Sequence, residues 1–123
     1  MKAMKKFYKE CHLAARMYYD ANEVWNDLKV GQLLQLRREP DNSYDANAVQ
    51  VIFTKPDENG EPEEFVLGYI PRDENAELAA FLDLGWGEIF ECRISSINEE
   101  AHYEQQIHIT IRIKRNPEFE KSC

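Results

Sequence analysis

Ile107-His108-Ile109-Thr110-Ile111-Arg112-Ile113-Lys114 alternates an isoleucine with a polar residue along its whole length. Period two puts successive side chains on opposite faces of a strand, so the isoleucines are expected inward and His108, Thr110, Arg112 and Lys114 outward. Upstream, Trp86, Glu88, Phe90, Cys92 and Ile94 alternate in the same way. Phe65 to Ile70 reads as a strand stopped by Pro71. Val49, Val51 and Phe53 alternate with Gln50, Ile52 and Thr54, a strand covered on much of both faces, and Leu33 to Leu36 begins another. At the N-terminal end Phe7, Cys11, Leu13, Ala15, Met17 and Tyr19 are spaced by multiples of two, until Asp20-Ala21-Asn22 breaks the pattern. Six strands are expected.

Two segments break this series. Glu23 to Leu28 fits a short helix or a closing loop, ended by Gly31. Asp73 or its neighbour is placed to cap a helix over Glu74 to Leu84, with Leu78, Phe81 and Leu82 on its apolar side and Gly85 as its stop. Lys55 to Glu64 contains Pro-Asp-Glu-Asn-Gly and reads as a hairpin tip. No strand–helix alternation supports a parallel sheet. The expected fold is mainly β: a six-stranded antiparallel sheet curled into a small barrel, with one main helix and a second short helix or loop. A flat sheet carrying the helix on one face is the alternative. Residues 1–114 read as a single domain and 115–123, which have no pattern, as a tail expected to fray.

The formal net charge of -8 excludes a protein held to nucleic acid mainly by its overall field, though not a local site. Lys2, Lys5, Lys6, Lys9 and Arg16 against Glu10 leave the first part of the chain basic, while acid gathers in Asp57–Glu64, Asp73–Glu77 and Glu99–Glu104. No segment reaches membrane-spanning length and Met1 to Lys6 leads into no signal-type apolar stretch, so a cytoplasmic location without membrane contact is expected. Cys11, Cys92 and Cys123 are odd in number and widely spaced, which makes no disulfide framework. The first two fall on alternating runs and read as buried thiols.

His12, His102 and His108 have no metal-ligand spacing, and neither a glycine-rich phosphate loop nor a nucleophile elbow is present, so no cofactor or metal is expected. Asp20, Asp41, Asp45 and Asp73 would have to converge on an ion for a hydrolase acting on phosphate bonds, and catalysis is not expected. Recognition residues are better represented. Arg37-Arg38-Glu39-Pro40-Asp41-Asn42-Ser43-Tyr44-Asp45-Ala46-Asn47-Ala48-Val49 joins two strands that two residues would suffice to join. Pro40 fixes its own φ, and Asp41, Asn42, Asp45 and Asn47 are able to bond nearby amides, so a stiff corner is expected. Tyr44 is then either held out for recognition or folded back onto the core. With Tyr18 after Arg16, and Tyr69 before Pro71-Arg72, it makes a set of rings and cations of the kind that stacks bases and meets phosphate. Tyr19 and Tyr69 fall by parity on inward-facing positions.

These residues together resemble the HIRAN domain: Tyr18-Tyr19 after the first strand, Gly31, the run Arg38 to Val49, then Leu67-Gly68-Tyr69-Ile70-Pro71-Arg72 and the apolar helix to Gly85. The similarity runs from about Cys11 to Ile97. It implies a modified six-stranded OB-like barrel. It also implies a non-enzymatic nucleic-acid-binding module. In that family the domain stands at the N-terminus of DNA-repair helicase-like ATPases or as small free-standing bacterial proteins, and this chain looks like the second kind. The resemblance implies that single-stranded DNA is gripped at its 3' end, with Tyr18 and Tyr44 on bases and Asp45 near the terminal 3'-hydroxyl. Tyr69 stands where the characterised member has a His and Arg72 where it has a Lys. Met17 replaces an Arg of the family, with Arg16 one residue earlier, and Ala15 and Ala21 replace glycines. The expected DNA-binding set is therefore Arg16, Tyr18, Tyr44, Asp45, Tyr69 and Arg72. The alternative is a protein-interaction module whose acidic surface meets a basic partner through a patch around Trp25 or Trp86. The oligomeric state is left open.

Overall fold

The computed structural model describes residues 4–15 and 20–115. It contains six strands: β1 (Lys5–His12), β2 (Leu33–Arg38), β3 (Val49–Pro56), β4 (Pro62–Tyr69), β5 (Phe90–Ile97) and β6 (Ile107–Lys114). They form one six-stranded sheet in the order β1-β6-β5-β2-β3-β4. Every neighbouring pair is antiparallel. The alternation in β6 is realised as expected: Ile107, Ile109 and Ile111 are fully buried and Ile113 packs at the margin of the core. Across the sheet they meet Cys11, Cys92 and Ile94, and the core continues through Leu34, Val49, Val51, Phe65 and Leu67. Burial pushes the Cys11 thiol up to about 12 and raises Cys92 as well, so both behave as apolar core groups and not as thiolates.

Two residues past the end of β1, Ala14 makes an isolated two-bond antiparallel bridge to Tyr69 at the end of β4. Ala14 N donates to Tyr69 O and Tyr69 N to Ala14 O, each at 2.9 Å. Elsewhere β4 is covered by a 3-10 turn at Asp20–Asn22, where Asp20 Oδ2 accepts from Val66 N at 3.2 Å. That cap satisfies an amide that an uncovered edge strand would leave open.

Helix α1 (Ala76–Asp83) follows a 3-10 turn at Arg72–Glu74 and buries Leu78 and Ala79. It is shorter than the span expected from Glu74 to Leu84, and Phe81, assigned to its apolar side, is 37% exposed. Gly85 at φ +87 ends it, as expected, because a left-handed residue lets the chain turn back under the last carbonyls. The helix is fastened at both ends. Tyr8 Oη donates to Glu77 Oε1 at 2.6 Å, and Arg38 Nε to Asp83 Oδ1 at 2.8 Å.

Three local expectations are corrected. Phe7 is 67% exposed, because the register between β1 and β6 shifts between Phe7 and Lys9. The bulge reverses parity, and Tyr8 takes the inward place beside Phe90, ring centroids 5.5 Å apart. The first strand also stops at His12, with Ala15 in a turn; Met17 and Tyr19 lie outside the described residues. Trp86 is 54% exposed and outside any strand, since a 3-10 turn at Gly87–Ile89 precedes β5. The segment before β2 forms a second 3-10 turn, Trp25–Asp27, that buries Val24 and Leu28 beside it. Arg115 is held by its amide to Met4 O at 3.0 Å; the rest of the tail lies outside the described residues.

Ala15 has φ +59, the left-handed region that costs an L-residue roughly 1–2 kcal/mol. Ala15→Gly removes that strain while adding unfolded-state entropy. A net gain of up to about 1 kcal/mol is expected from denaturant melts. A loss in stability would show that the Ala15 methyl makes contacts worth more than its strain.

Candidate functional site

The corner between β2 and β3 is built from side chains that bond backbone. Asn42 Oδ1 accepts from Tyr44 N at 2.8 Å and Asp45 N at 3.0 Å, and Asp45 Oδ1 accepts from Asn47 N at 2.9 Å. Backbone bonds from Asn42 N to Glu39 O and from Ala48 N to Asp45 O tighten the loop further. Of the four polar residues expected to do this, Asn42 and Asp45 do; Asp41 and Asn47 contribute no side-chain bond among the described residues.

Two residues within the quoted run carry more than the turn formers. Arg38 donates through Nη1 to Ala48 O at 2.6 Å and through Nη2 to Ala46 O at 2.9 Å, while its Nε holds Asp83. One guanidinium thus ties the corner to the end of α1. Glu39 accepts three side-chain donors: Asn42 Nδ2 at 2.6 Å, Tyr69 Oη at 2.8 Å and Gln50 Nε2 at 2.8 Å. Charged acceptors make the stronger hydrogen bonds, and this one links the corner to β3 and β4.

The stiffened corner holds Tyr44 out at 86% exposure, which overturns the reading of its ring as a plug for the core. Tyr44 and Asp45 form one wall of a groove of about 480 Å³. Tyr69 and Arg72 line the same groove, with Ala14, which bridges to Tyr69, and Ala15 beside it. Four of the six expected binding residues, Tyr44, Asp45, Tyr69 and Arg72, are therefore brought together although they come from two separate segments. Arg16 and Tyr18 lie outside the described residues. In the sequence Arg16 follows directly on Ala15 and Tyr18 comes two residues later.

The four do not present themselves alike. Tyr69 is buried at 9% exposure with its hydroxyl donated to Glu39, so it offers the groove an edge and not a free face. Arg72 is exposed and forms no ion pair among the described residues. Asp45 is partly buried, and its second oxygen accepts from Asn75 Nδ2 at 2.7 Å. Asn75 carried no signal in the sequence, because its partner stands thirty residues away on another segment. Part of the basic N-terminal charge is committed elsewhere. Lys5 bonds the buried Glu91 at 2.7 Å, and Lys9 lies 3.8 Å from Glu74.

Among the described residues no three His, Cys, Asp or Glu side chains gather to hold a metal ion. No described helix is long and apolar enough to cross a membrane. The family model described as HIRAN domain matches residues 6–114. Among solved structures, the chain is similar to a protein from Lactobacillus plantarum, with a TM-score of 0.66 and 20% identity over 94% of this chain and 100% of the other. It is also similar to the HIRAN domain of human HLTF, with a TM-score of 0.56 and 17% identity over 96% of this chain and 85% of the other. At such identities the likeness carries the fold. No curated protein matches the chain significantly.

Proposed function

The chain belongs to the HIRAN domain family, and on that premise we propose that it is a non-enzymatic module binding single-stranded DNA, or DNA ends, in the groove beside Tyr44. The observation that carries this reading is the rigid display of Tyr44. A large ring at 86% exposure stands on a loop whose backbone Asn42 and Asp45 hold, so binding need not order that backbone. Such a ring is a stacking platform for any base. Tyr69 serves as the opposite wall and Arg72 as the phosphate contact at the rim, with Arg16 and Tyr18 proposed as further contacts from the resemblance alone. The domain is taken as residues 1–114 and acts in the cytoplasm. We read the Ala14–Tyr69 bridge as the contact that closes an OB-like barrel, with the groove lying over the closure.

Asp45 gives the reading its sharpest form. A carboxylate repels phosphate, so in a groove that only follows the backbone its removal would help binding. If it accepts a hydrogen bond from a terminal 3'-hydroxyl, its removal costs affinity for a free end only. Short labelled strands with a 3'-hydroxyl or a 3'-phosphate, titrated at two salt concentrations, separate these cases. Tyr44→Ala is expected to weaken binding of both strands by roughly 1–3 kcal/mol with the fold intact. Asp45→Ala is expected to weaken only the hydroxyl-ended strand. Unchanged affinity in Tyr44→Ala would remove the stacking platform from the reading, and a gain in both strands for Asp45→Ala would remove end recognition. The salt slope should correspond to fewer than about six phosphate contacts, because Arg38, Lys5 and Lys9 are already engaged within the protein.

One feature favours a protein partner as a second reading. Leu33 and Trp86 are each more than half exposed, and Leu33, Gly85, Gly87 and Glu88 line a separate groove of about 510 Å³ near Trp86. Loss of binding to a partner protein in Trp86→Ala, with DNA affinity unchanged, would support that reading.

A further inference from the structure

Asn75 stands at the N-cap position of α1, yet its side chain does not cap the helix. Its backbone is in the helical region, at φ −104 and ψ −14, and its side chain accepts no bond from the first turn. An Asn at this position ordinarily uses its Oδ1 on an amide two or three residues on. Here Nδ2 is turned toward Asp45 Oδ2 at 2.7 Å, and Oδ1 is buried with no partner among the described residues. The residue as a whole is 1% exposed. At one buried amide the acceptor is thus left without the helix cap that would satisfy it, while the donor is committed to a groove carboxylate. Unsatisfied buried acceptors are rare in folded proteins, and one whose only side-chain partner lines a groove points to that groove.

We infer that Asn75 is a positioning residue that fixes Asp45 as the end-reading group of the groove, an inference that rests on the reading of Asp45 as acceptor for a 3'-hydroxyl. The geometry gives the mechanism. Each oxygen of Asp45 receives one neutral donor, Asn47 N on Oδ1 and Asn75 Nδ2 on Oδ2. A carboxylate has about four lone-pair directions, so roughly two remain, and they are held in fixed directions. Neither donor brings a charge, so the group keeps its negative field. A fixed negative acceptor favours a hydroxyl and rejects a phosphate. Without Asn75 the carboxylate is anchored on one side only and turns about its side-chain bonds. Asn75 also lies three residues after Arg72, so one short segment sets both the rim cation and the acceptor.

The test compares wild type with Asn75→Ser and Asn75→Ala on strands ending in a 3'-hydroxyl or a 3'-phosphate. Ser is a good helix cap but too short to reach Asp45. Asn75→Ser is expected to melt at or above the wild-type temperature. Its preference for the hydroxyl end should fall roughly tenfold, to the level of Asp45→Ala, and the double variant should lose nothing more. A preference kept by both Asn75 variants and lost only in Asp45→Ala overturns the role of Asn75 and leaves the groove reading standing. Equal loss on both ends overturns it too, as a defect of the corner. A wild type that treats both ends alike, or binds neither, overturns the groove reading and this inference together. A second measurement needs no variant: the Asn75 side-chain amide resonances of wild type should move on addition of the hydroxyl-ended strand and not of the phosphate-ended one. Resonances that stay in place with both strands would overturn the inference.

Discussion

Replacing Ile109 by Ala lowers folding stability by about 2–5 kcal/mol, the cost of a cavity left in a site that cannot collapse. Ile109 is fully buried in the central part of β6, paired with Cys11 on β1 and with Ile94 on β5. Strands on both sides fix its backbone, so the surroundings have little freedom to move into the vacated volume. Urea denaturation of wild type and Ile109→Ala measures the difference. The slope of the transition should be unchanged, because the folded surface stays the same. A loss below about 1 kcal/mol would mean that the core relaxes around β6 more than its packing allows.

Glu39→Ala is the second large effect. The carboxylate serves three donors from three segments, so its removal leaves the Tyr69 hydroxyl and the Gln50 and Asn42 amides without their acceptor. Tyr69 is buried, and its hydroxyl is the donor least able to turn to water. A loss of roughly 2–4 kcal/mol is expected once partial solvent access to the two amides is allowed for. Glu39→Gln keeps one carbonyl oxygen and should lose about half as much. Binding should fall with Glu39→Ala even under conditions where the domain stays folded, since the wall carrying Tyr44 is no longer tied to β4. Full stability in Glu39→Ala would show that water replaces the three bonds at no cost.

The strands were legible because period two survives in the sequence wherever one face is buried. Ile107 to Lys114 and Val49 to Phe53 are read correctly from alternation alone, and Gly85 marks the helix end through a backbone conformation that few other residues adopt. Phe7 departs from its expected face because period two holds only while the register is unbroken, as it is along the isoleucines of β6. One bulge shifts parity by a residue, and nothing in the order of side chains records it. Trp86 and Glu88 continue the alternation of β5 upstream of its first residue, Phe90, by coincidence of spacing and not by strand structure.

By itself the sequence determined the strands, the antiparallel character of the hairpins, the position of the main helix and the stiff corner that carries Tyr44, because each depends on spacing and turn chemistry within a few residues. Only the tertiary structure decided that Tyr44, Asp45, Tyr69 and Arg72 share one groove, that Tyr69 spends its hydroxyl on Glu39, and that Asn75 leaves its helix to hold Asp45. Those contacts join residues about thirty positions apart, and their energy comes from burying polar groups against particular partners. That term has no local pattern, since the partner is chosen by how the strands close on one another and not by what stands next in the chain.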